Sequence, residues 1–94
     1  MAPQQVSFVR PYYSDKAFAP AAYRMAAGNL PEAIALLKPL TEHKKRKEAA
    51  KAAYNMAIVY EAMGKIEDAK HWTNVALDKN NKLALLLLPE LNTY

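Results

Sequence analysis

The residues able to do chemistry are few and scattered. Glu67 and His71 stand four apart, which places both on one face of a helix. Two ligands do not complete a metal site, and His43 is the only other histidine. A surface pair is the simpler reading of these two residues. Ser7 and Ser14 have no histidine near them in sequence, so no nucleophilic triad is supported. Both glycines are isolated, so there is no phosphate-cradling loop. The chain has no cysteine, which excludes disulfides, thiolate metal sites and a Cys nucleophile. Titratable groups do not converge, and the expectation is a non-catalytic chain without metal or cofactor.

Charge is the second chemical signal. Six basic residues (Lys38, Lys44, Lys45, Arg46, Lys47 and Lys51) and two acidic ones (Glu42 and Glu48) fall between positions 38 and 51. That stretch alone matches the net charge of +4 carried by all 94 residues. A run such as His43-Lys44-Lys45-Arg46-Lys47 can contact phosphates of nucleic acid or an anionic surface. No aromatic residue interleaves it to stack on bases. Its simpler reading is a solvated turn entering a helix, and nucleic acid is not the expected partner.

These residues must be positioned by helices. The 18 alanines and only 2 glycines favour helix. Residues 1–13 stand apart, because Gln5 to Arg10 alternates polar and apolar positions and reads as an extended segment. It is either an arm lying along the helices or the remnant of an upstream domain. Ser14 or Asp15 can cap a first helix ending near Ala27, with Pro20 kinking it or delaying its start to about residue 19. Asn29, Pro31 and Glu32 open a second helix as cap, first-turn proline and capping-box acid, and Pro39 ends or bends it. A third helix is expected from about Lys45 to Met63 and a fourth from about Ile66 to Lys79. Lys82 to Leu88 forms a last helix, apolar nearly all round and stopped by Pro89. No apolar run is long enough to span a bilayer, and the first residues do not form a signal peptide.

The segment Gly28-Asn29-Leu30-Pro31-Glu32-Ala33 recurs as Gly64-Lys65-Ile66-Glu67-Asp68-Ala69, an offset of 36 residues. A helix–turn–helix unit repeating at about 34 residues resembles the tetratricopeptide repeat. The second unit carries the closer match, with Met56 as the large apolar residue, Ala57 as the small one, Tyr60 as the aromatic and Gly64 at the turn. Ala69 and Ala76 are the small positions of its second helix. Ala53, Thr73 and Asn81 depart from the pattern, and Pro20 and Arg24 depart in the first unit. The run from Ala49 to Ala57, with Gly64 and Trp72 downstream, also resembles the C-terminal part of an uncharacterised family of bacterial envelope proteins. That resemblance implies an exported or lipid-anchored parent, in the cell envelope or periplasm.

The expected fold is all-α: a right-handed tetratricopeptide-like superhelix over residues 14–94, with repeats at about 14–44 and 45–81 and a capping helix at 82–88. Leu83 to Leu88 caps the second pair or builds a homodimer seam. The resemblance implies a protein–protein interaction module that takes a peptide on the concave first-helix face. In its register that face carries Lys51, Tyr54, Asn55, Ile58 and Glu61, with Asp15, Phe18, Ala22 and Met25 from the first unit. The contacts expected from this are Phe18, Lys51, Tyr54, Asn55, Ile58 and Glu61. Tyr54 and Phe18 would supply buried area, Lys51 and Asn55 polar anchors. The alternative reading of both aromatics is packing against the N-terminal arm or the next helix. The alternative function is polyanion binding over residues 43–51, through Lys44, Lys45, Arg46 and Lys47.

Overall fold

Three glycine- or asparagine-bearing turns divide the chain into its packing units. The computed structural model describes residues 11–12 and 16–94. The extended segment expected at residues 5–10 and the caps expected of Ser14 and Asp15 lie outside the described residues. The described residues form five α-helices and no strand. They are α1 (Ala19–Ala26), α2 (Leu30–Leu37), α3 (Arg46–Ala62), α4 (Ile66–Asp78) and α5 (Ala84–Leu91), with 3-10 turns at Lys16–Phe18 and Lys38–Glu42.

Pro20 delays the first helix as its sequence position demands. It sits at the second residue of α1, where a missing N–H costs nothing, and the preceding residues tighten into the 3-10 turn. Pro39 does the corresponding work at the end of α2, which stops at Leu37 and passes into the second 3-10 turn. Asn29 precedes α2 as expected, but its side chain makes no capping hydrogen bond. The capping box is therefore present in sequence and unformed in structure.

The turns after α1, α3 and α4 share one hydrogen-bond pattern. Asn29, Lys65 and Asn81 donate their N–H groups to the carbonyls of Arg24, Tyr60 and Ala76, each five residues back. Gly28, Gly64 and Asn80 donate to Met25, Glu61 and Leu77. This pairing terminates a helix through a left-handed residue, and φ is +81° at Gly28, +78° at Gly64 and +69° at Asn80. Asn is the non-glycine residue that tolerates this region best.

Each helix packs on the next in sequence, α1 on α2, α2 on α3, α3 on α4 and α4 on α5. The centre is α3, buried continuously from Ala49 to Ala57 except at the half-buried Lys51. Alanine makes this possible, because Ala49, Ala50, Ala52, Ala53 and Ala57 let neighbours approach closely. One side of α3 joins Phe18, Ala21, Ala33 and Leu37 around Met56 and Val59. The other joins Tyr54 and Ala57 to Ala69, Ala76, Leu87 and Leu91. Trp72 packs against both clusters, while Thr73 is fully buried with its hydroxyl donating to the Ala69 carbonyl at 2.7 Å.

Pro89 does not stop the last helix, contrary to the sequence expectation. It lies inside α5, which continues to Leu91. Ala84, Leu87 and Leu91 are buried, and this packing outweighs the lost backbone bond. Pro89 itself is exposed, and so is Leu85, whose carbonyl the missing N–H would have met. Among the described residues no helix is long and apolar enough to cross a membrane.

Candidate functional site: an occupied helix face beside a basic cleft

Lys51, Tyr54, Asn55 and Ile58 recur on α3 at spacings of three and four, so the helix stacks them along one side. Across that side lies Tyr12, from the arm preceding the first 3-10 turn. The Asn55 side chain accepts from the Tyr12 N–H at 2.7 Å and donates to the Tyr12 carbonyl at 2.7 Å. One amide thus satisfies both backbone groups of one residue, leaving Asn55 only 1% exposed. The Tyr12 ring meets the Tyr54 ring edge-to-face, with centroids 5.3 Å apart and planes at 71°. The Lys51 ammonium lies 5.5 Å from the Tyr12 ring centroid, and the same Nζ pairs with Glu48 at 3.6 Å. The Tyr12 hydroxyl accepts from Asn81 Nδ2 at 3.2 Å, while Asn81 Oδ1 accepts from the Ala84 N–H that begins α5.

Tyr54 is fully buried, and its hydroxyl has no hydrogen-bond partner among the described residues. Burial pushes its pKa well up, with the neighbouring Tyr12 and Glu90 adding to the shift. At the far end of the face the Tyr94 hydroxyl donates to Glu61 Oε2 at 2.7 Å. Burial raises the Glu61 pKa to about 7, assisted by a hydrogen bond and like charge from Glu90 and opposed by the Tyr94 bond. The Tyr94 pKa is raised to about 12, chiefly by that bond to Glu61.

The expected contact residues therefore separate. Lys51, Tyr54 and Asn55 converge on Tyr12. Ile58 packs half-buried against the α4–α5 side of the core, and Glu61 belongs to the carboxyl pair with α5. Phe18 is a correction: it is 1% exposed and fills the core beneath α1 and α2, so it offers no binding surface. Tyr54 likewise has no open surface while Tyr12 is docked. Ala22 and Met25 line a separate apolar groove of about 580 Å³ with Pro11, Ala19, Tyr23 and Ala26. Glu67 pairs with Lys70 at 3.9 Å, not with His71, whose ring meets Trp72 edge-on.

The basic run also separates. Arg46, Lys47 and Lys51 project from the first turns of α3 into a cleft of about 480 Å³, where Lys79 and Lys82 join them from beyond α4. Lys44 and Lys45 do not line it. Arg46 Nη2 donates to the Asp78 carbonyl at 2.6 Å, fixing the start of α3 to the end of α4. Sequence reasoning missed Tyr12, Asn81, Lys79 and Lys82. The only local signal was the Asn80-Asn81 pair, and nothing near Lys79 or Lys82 in sequence links them to residues 46–51.

The family model described as "Domain of unknown function (DUF6340)" matches residues 19–92. No curated protein and no solved structure matches the chain.

Proposed function

The chain belongs to the DUF6340 family, and we propose that it is a non-catalytic interaction module whose α3 face grips an extended peptide segment. The Asn55 clamp on Tyr12 carries this reading, because an amide bonded to both the N–H and the C=O of one residue recognises extended backbone of any sequence. Tyr54 and Asn81 add a preference for an aromatic side chain with a hydroxyl. In this chain the segment is its own arm, which runs from Pro11 beside the α1 groove to Tyr12 beside the basic cleft. A partner segment takes the same path by displacing it.

A tetratricopeptide-like pairing of helices belongs to the same proposal. Its support is the identical hydrogen bonding of the Gly28 and Gly64 turns, 36 residues apart, together with sequential packing of α1 through α5. In that arrangement α5 covers the end of the second pair with Ala84, Leu87 and Leu91.

Competition with the arm tests the reading. A fluorescent peptide with the sequence of residues 7–16 is titrated onto three chains: unaltered, Tyr12→Ala, and Tyr12→Ala with Asn55→Ala. Tyr12→Ala leaves the backbone groups that Asn55 holds but removes the ring packed on Tyr54 and the hydroxyl bond to Asn81, so the tethered arm competes less well and peptide affinity should rise about tenfold. Adding Asn55→Ala should remove that gain. Equal binding by all three chains would sink the reading.

A further inference from the structure

The cleft at the start of α3 is an unusual concentration of one charge. Arg46, Lys47, Lys51, Lys79 and Lys82 line about 480 Å³, and among the described residues no acidic one lines it with them. That volume lies within the range of about 300–1,000 Å³ common for small-ligand sites. Lys47, Lys79 and Lys82 make no ion pair among the described residues. The like charges repel, and two structural devices hold them together regardless. One is the Arg46 bond to the Asp78 carbonyl, which draws the residues after α4 against the first turn of α3. The other is Asn80, whose left-handed backbone (φ +69°) turns the chain between Lys79 and Lys82.

We propose that this cleft binds a compact anion carrying at least two phosphate groups. Ammonium groups dominate the lining, and they act as point charges that phosphoryl oxygens can meet from several directions. Arg46, the one group suited to bidentate carboxylate binding, already serves the Asp78 carbonyl. Among the described residues Tyr12 is the only aromatic lining the cleft, and its ring is engaged by Tyr54 and Lys51, so base stacking is not favoured. The site excludes Lys44 and Lys45, so it is a folded constellation and not the basic run of the sequence. It does not depend on the peptide reading of the α3 face.

Calorimetric titration of the full chain with inorganic tripolyphosphate tests the proposal. The expected isotherm is saturable with one site. Lys79→Gln with Lys82→Gln should weaken it about tenfold or more, while Lys44→Gln with Lys45→Gln, which removes the same charge, should change it less than about twofold. The melting temperature of the Lys79/Lys82 variant without ligand should hold or rise, because repulsion is relieved; a simple structural role would lower it. Flotation with phosphatidylcholine vesicles containing cardiolipin separates the sources. Vesicle binding competed by tripolyphosphate assigns a lipid headgroup, and tripolyphosphate binding without flotation assigns a soluble phosphate compound. Equal loss in both variant pairs, absence of saturation, or a single-stranded oligonucleotide bound more tightly than tripolyphosphate and weakened equally by both pairs would overturn it.

Discussion

The Asn55 side chain closes on Tyr12 from 43 positions away, accepting from its N–H and donating to its carbonyl, each at 2.7 Å. No other side chain among the described residues meets both backbone groups of one residue. Asn55→Ala removes both bonds and leaves the N–H and carbonyl of the half-buried Tyr12 to find water. The expected loss of stability is about 2 kcal/mol by urea denaturation. The Tyr12 amide should exchange at the rate of an unstructured peptide. Asn55→Asp keeps the acceptor and loses the donor, so it should fall between the two.

Tyr54→Phe should stabilise the chain by about 1 kcal/mol. Its hydroxyl is buried without a partner among the described residues, and deleting it removes a desolvation cost while keeping the ring contact with Tyr12. A lower midpoint in thermal denaturation would show that the hydroxyl is satisfied in solution.

Stability should depend on pH through Glu61. Burial and the Glu90 carboxyl raise its folded pKa to about 7, against 4.5 for the ordinary group. The folded chain therefore binds this proton more tightly than the unfolded chain. Its contribution is complete below 4.5, declines as pH rises through the interval to 7, and is absent above it. Urea midpoints should fall between pH 5 and pH 8. Glu61→Gln, which keeps a donor beside Glu90 and cannot ionise, should flatten that slope.

Pro89→Ala should lengthen the life of α5. It restores a backbone bond to the Leu85 carbonyl and touches nothing buried, so a gain of about 1–3 kcal/mol is expected in the C-terminal helix. Slower amide exchange from Leu87 to Asn92 is the direct readout.

The parts of the fold visible in sequence were those with local causes. Gly28, Gly64, Pro20 and Pro39 set helix ends through their own backbone limits, and all four act where their spacing placed them. Pro89 misled because its local cost is overridden by the burial of Leu87 and Leu91. The Asn29 capping box is a local pattern that the folded chain leaves unused. The candidate site was legible only on α3, where Lys51, Tyr54 and Asn55 share a helix face. Tyr12, Asn81, Lys79 and Lys82 reach that region through long-range closure, which no neighbouring residue announces. Phe18 was misplaced for the same reason, since its periodicity fits a groove and a core equally.

Asn81 joins the arm to the start of α5: one side-chain atom holds the Tyr12 hydroxyl and the other holds the Ala84 N–H. A contact between positions 12 and 81 closes a loop of 69 residues, longer than the 43 closed by the Asn55 clamp on Tyr12. Such closures form after local ones, because their entropy is recovered only when both ends are already ordered. The helices should thus assemble first, from the turns at Gly28 and Gly64 outward. The arm should dock last, onto an α5 already started by Asn81. In native-state exchange the order should reverse, with Tyr12 opening before α3. Opening of the arm alone would uncover the Asn55 face as part of the ordinary breathing of the folded chain, without the core being disturbed.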